Sequence, residues 1–82
     1  MDLLEKIRSL LTTVFPPPAR IELIDEDGII GTITSACFEG MERIDRINMI
    51  WDILDVGLTL EEWRRVVTIV PATPLEEIVY TA

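Results

Sequence analysis

Arg43 and Arg46 lie three residues apart, so on a helix they share one side. Two guanidinium groups held that way can grip a phosphate or a partner's carboxylate. The plainer alternative is ion pairing along the helix surface, because Glu39/Arg43 and Glu42/Arg46 are each four residues apart. Gly40 stands in the loop that leads into this helix, and Cys37 just before Phe38. A thiol there would gain reactivity from the helix N-terminus and from Arg43. A lone cysteine is more often a small buried apolar residue, and burial is the expectation for Cys37. The run Asp25-Glu26-Asp27 gathers acid, but consecutive carboxylates rarely converge on one cation and calcium-loop spacing is lacking. It reads as a solvated turn. The chain has no His, no Gly-rich phosphate loop, no paired His-Glu zinc motif and no nucleophile elbow. A general base would have to be a carboxylate raised by burial, and no isolated acid stands in an apolar run. The residues argue for a binding module rather than an enzyme, with no cofactor and no metal site.

The chain has 82 residues, 49% of them apolar, which suits one domain spanning 1–82. A single Cys forbids an internal disulfide and fits a reducing compartment. Neither a signal peptide nor a membrane span is read, so a cytoplasmic location is expected. Fifteen acidic against seven basic residues give a formal charge of −8. Such a surface repels phosphate backbones at long range and keeps the chain soluble, and it would also suit a basic partner.

The elements that must position these residues follow from spacing. Asp2 is a candidate N-cap, with Leu3, Ile7, Leu10, Leu11 and Val14 recurring at helical spacing until Pro16-Pro17-Pro18 stops the helix. Arg20–Asp25 and Ile29–Thr34 read as strands joined by an Asp27-Gly28 hairpin turn. Gly31 inside the second marks either a bulge or close packing by a helix. A helix is expected over about Glu42–Val56, with Ile44, Ile47, Ile50, Trp51, Ile53 and Leu54 on its apolar face and Gly57 at C′. Thr59-Leu60-Glu61-Glu62 is a capping box opening a short helix that carries Trp63. Trp51 belongs to the core stripe, which leaves Trp63 the better exposed interface anchor. Arg65–Val70 reads as a third strand, and Thr73-Pro74-Leu75-Glu76 as a second capping box that starts a last helix. The order α-β-β-α-α-β-α predicts an α+β fold: a three-stranded mixed sheet packed by helices.

The segment Phe38-Glu39-Gly40-Met41-Glu42-Arg43-Ile44-Asp45-Arg46, of pattern Phe-x-Gly-Met-x-Arg-x-x-Arg, resembles the signature of the BolA family. That family shares the same element order, and the resemblance runs from about Leu3 to Val79. It implies a non-enzymatic interaction or regulatory module that pairs with monothiol glutaredoxins around a 2Fe–2S cluster, or regulates transcription in bacteria. The implied contact residues are Phe38, Gly40, Met41, Arg43 and Arg46, together with Trp63 and Arg65. The family's cluster ligand is a His at the beginning of the third strand. Arg65 stands there in this chain, and Asp25-Glu26-Asp27-Gly28 offers neither His nor Cys, so pairing without iron–sulfur ligation is expected. The alternative is a nucleic-acid-binding regulator of KH-like or helix-turn-helix-like form, with Arg43, Arg46, Arg64 and Arg65 as a basic patch. Gly40 lacks the second Gly of a KH clamp, and the acidic charge opposes this reading.

Overall fold

The computed structural model describes residues 2–76. Helix α1 (Leu3–Val14) is followed by strands β1 (Arg20–Asp25) and β2 (Ile29–Thr34), helix α2 (Arg43–Gly57), the short helix α3 (Leu60–Trp63) and strand β3 (Val66–Ala72). Residues 74–76 form the opening turn of the expected last helix, whose remainder lies outside the described residues. β1 and β2 pair antiparallel, β2 and β3 parallel, in the order β1-β2-β3. The expected mixed α+β sheet is present. No helix among the described residues is long and apolar enough to cross a membrane.

Local chemistry explains the boundaries. The Asp2 carboxylate accepts from the Leu4 N–H and caps α1, and Phe15 closes it with an N–H donated to the Leu11 carbonyl at 2.7 Å. Both expected capping boxes form, Thr59 with Glu62 and Thr73 with Glu76. At the hairpin Asp27 has φ 53° and Gly28 φ 127°, so a left-handed turn joins β1 to β2.

Ile7 and Leu11 of α1, Ile29 and Ile33 of β2, and Ile50 and Leu54 of α2 are all essentially sealed from solvent. Phe15 and Phe38 close one end of this core, their rings 5.1 Å apart in a tilted pair. Phe38 gets there through a 3-10 turn (Ala36–Phe38) that the sequence did not suggest. The same turn points Cys37 outward: it is exposed, not the buried residue expected.

Other expectations need correcting. Val14 is 41% and Ile44 61% exposed; Phe15 fills the core position at the end of α1, and on α2 Met49 joins the expected Ile50, Trp51, Ile53 and Leu54 at the core in place of Ile44. Gly57 is not a C′ residue but the last residue of α2. A Cβ there would come within 2.5 Å of the Leu10 side chain, so its bareness serves close approach of α1 to α2. Gly31 is neither a bulge nor a seat for a helix. Its neighbours are Leu23 and the Glu22 carbonyl of β1, and the register shift falls between Ile29 and Ile30. β3 begins one residue later than expected and continues through Pro71 and Ala72. The Ser35 N–H donates to the Ala72 carbonyl at 3.0 Å, so Ala72 faces β2 and strand alternation turns Pro71 to the open edge. A residue without an N–H costs no ladder bond there.

A Cβ on Gly31 would lie 2.7 Å from the Glu22 carbonyl oxygen, backbone that cannot yield cheaply. Gly31→Ala should therefore lower the unfolding free energy by about 1–3 kcal/mol in urea titration, the usual range for overpacking.

Candidate functional site

Gly40 has φ 79°, a conformation glycine adopts without strain. Beyond its two chain neighbours, no atom of the described residues lies within 4 Å of where its Cβ would be, so the backbone angle and not space demands the glycine. The turn is closed by the Met41 N–H, which donates to the Phe38 carbonyl at 3.1 Å. Helix α2 starts immediately afterwards with Glu42 at the N-cap, where its side chain makes no capping bond. Between this corner and the far end of β3 runs an open groove of about 570 Å³, lined by Gly40, Met41, Arg43, Arg46, Val70 and Pro71 among others.

The two arginines, alike in sequence, have different surroundings. The Arg46 side chain is only 12% exposed. It donates from Nε to the Met41 carbonyl at 3.1 Å and from a terminal nitrogen to Glu76 Oε1 at 2.7 Å, and its guanidinium lies 6.0 Å from the Phe38 ring centre. Arg43 is exposed and makes no ion pair among the described residues. The helix-surface pairs Glu39/Arg43 and Glu42/Arg46 do not form among them either. Glu39 stands in the loop before α2, outside helical spacing, and Arg46 turns back to Met41 and across to Glu76.

Of the expected contact residues, the groove gathers Gly40, Met41, Arg43 and Arg46. Phe38 lies beneath Arg46, fully buried, as a wedge in the core rather than a surface contact. Trp63 is not an exposed anchor. It packs on Trp51 with centroids 5.0 Å apart, its indole N–H sealed and without an acceptor among the described residues. Arg65 precedes β3 at its opposite end, donating to Asp25 at 2.6 Å across the hairpin. Most of β3 separates Arg65 from the groove, roughly 15–20 Å of strand. The basic patch of Arg43, Arg46, Arg64 and Arg65 is therefore not assembled: its members sit at opposite ends of β3, and Arg46 and Arg65 are each engaged by a carboxylate.

Sequence reasoning did not find Val70, Pro71 and Glu76 as groove residues. Glu76 carries two tasks: it accepts from Arg46 and also from the Thr73 N–H at 2.8 Å. The capping box disclosed the second task, but nothing local in sequence discloses a bond spanning 30 residues.

No family model matches the chain, and no curated protein does. Among solved structures it is similar to BolA1 from Arabidopsis thaliana, with a TM-score of 0.72 and 24% identity, covering 93% of this chain and 96% of that one. The fold is BolA-like.

The hydrogen bond from Arg46, reinforced by the Thr73 N–H, lowers the Glu76 carboxyl below its ordinary value of 4.5. Glu62 is lowered likewise, by the Lys6 hydrogen bond and then the Thr59 N–H. A carboxylate lowered on folding adds stability that is full above its unfolded value and disappears as pH falls through the folded value. The urea midpoint should hold steady from pH 7 to about pH 5 and fall below 4.5. Glu76→Gln should flatten part of that acid limb, and an unchanged limb would contradict the assignment.

Proposed function

We propose, with the BolA-like fold as the premise, that the chain is a non-enzymatic protein-interaction module acting in the cytoplasm. The observation that carries this reading is the division of labour at the groove. Arg46 is consumed in holding the corner together, while Arg43 stands at the rim as a cation with no acid engaged to it among the described residues. Beside it Met41 and Val70 offer apolar surface. The exposed charges of Arg43 and Glu42, next to that apolar surface, are the make-up of a protein contact.

The resemblance makes a monothiol glutaredoxin the partner to test first. Iron–sulfur ligation by this chain is not part of the proposal, and the reason is the donor set. Soft iron–sulfur centres take thiolate or imidazole. Arg65, which the resemblance sets at the position of the family's ligand, is a guanidinium that stays protonated and is spent on Asp25. The hairpin around it adds Glu26 and Asp27, acid that opposes an anionic cluster.

Mixed with a monothiol glutaredoxin, the chain should form a complex by isothermal titration calorimetry, weakened at least about tenfold by Arg43→Glu. Visible circular dichroism of the reconstituted mixture should match the glutaredoxin alone, and Arg65→His by itself should not change that. A distinct spectrum for the Arg65→His mixture would show that a cluster site survives here. Failure to bind glutaredoxins, with no specific partner recovered by affinity purification, would remove the interaction reading.

A further inference from the structure

The outer face of the sheet, turned away from α1 and α2, is covered at one end and open at the other. At the covered end Thr34 and Ala72 are buried, and Pro74 shares a small cleft with Arg20 and Thr34. At the hairpin end Ile24 is 51% and Ile30 36% exposed, and Val70, one row further along beside Thr32, is 43% exposed. Ile24 pairs directly with Ile30, and Ile30 is followed across the sheet by Thr68, so these side chains form one row over all three strands. A shallow depression of about 270 Å³ lies along it, bordered by Glu22. We propose that this open face docks a basic amphipathic helix supplied by a protein partner.

Charge selects the partner's chemistry. Glu26 and Asp27 stand in the turn next to Ile24 and Ile30, and neither has a cation partner among the described residues. Asp25 is held by Arg65, and Glu22 shares only an exposed 3.2 Å pair with Arg20 that a competing lysine can replace. An apolar strip rimmed by acid complements a helix with a leucine face and lysine flanks. A second copy of this chain is the wrong occupant, because each copy brings a net charge of −8.

Geometry selects a helix lying on the face over a strand added at an edge. On the β3 edge Pro71 removes a donor, and the extra residue Val67, between the pairs Ile29/Val66 and Ile30/Thr68, makes the strand irregular. On β1 the Ile21 carbonyl already accepts from Arg8 at 2.7 Å. Three strands at about 4.8 Å spacing span roughly 10 Å, the width of one helix.

The test uses the full chain, labelled with nitrogen-15, and a synthetic peptide of about 16 residues, long enough to hold a helix, with leucine on one face and lysine on the other. Amide shifts should concentrate at Ile24, Ile30 and Thr68. Affinity by fluorescence anisotropy should fall at least about tenfold with Ile24→Ser, with Ile24→Ser/Ile30→Ser, and with the peptide's lysines replaced by glutamate. Both isoleucines are exposed, so the variants should keep the wild-type circular dichroism spectrum. Arg43→Glu should leave this binding unchanged, which separates the inference from the groove. Equal binding of a scrambled peptide, shifts clustered at the Arg43 groove, or a concentration-dependent dimer that Ile24→Ser abolishes would each overturn it.

Discussion

The guanidinium of Arg46 is the constraint on which the binding corner depends. It sits nearly buried, and a buried charge must be matched by acceptors or it costs several kcal/mol. The Met41 carbonyl and the Glu76 carboxylate supply them, and the Phe38 ring lies beneath. Each partner belongs to a different segment: the Gly40 turn, the beginning of the last helix, and the 3-10 turn that anchors the loop in the core. Meeting the needs of one side chain thus fixes three segments around the end of β3. The groove is the space left between them.

A similar clasp works at the other end of β3, where Arg65 holds Asp25 and its carbonyl accepts from the Ile29 N–H at 2.7 Å. This pair is exposed, so its worth lies more in orienting the hairpin than in stability. Lys6 and Glu62 tie α1 to α3 in the same manner. Long-range ion pairs therefore arrange the periphery, while the core is held by the aliphatic and phenylalanine contacts of α1, β2 and α2. The arginines are mostly fasteners here. Arg43, like Arg64, is held by no carboxylate among the described residues, and its place at the groove leaves it free to meet a partner.

What could be read in the sequence was what local rules govern. The capping boxes at Thr59 and Thr73, the Asp27-Gly28 turn and the proline stop after Phe15 all rest on interactions within about four residues, and all are found. β1 and β2 have the expected bounds. The errors arise where a distant neighbour decides. Gly57 looked like a helix terminator because the pressure from Leu10, across to another helix, leaves no local trace. Cys37 and Phe38 are adjacent and both apolar by type; only the 3-10 turn decides which one faces the core. Trp63 seemed exposed on its short helix until Trp51 provided a ring to pack against. Arg43 and Arg46 share a face as expected, but the bond from Arg46 to Glu76 gives them different roles.

The central claim is that one arginine builds the groove and the other uses it. Comparing Arg43→Ala with Arg46→Ala, by urea unfolding and by binding to a captured partner, tests it directly. The account predicts that Arg46→Ala lowers the urea midpoint, while Arg43→Ala leaves the midpoint unchanged and weakens binding. An unchanged midpoint for Arg46→Ala, or a destabilised Arg43→Ala with unaltered affinity, would contradict it.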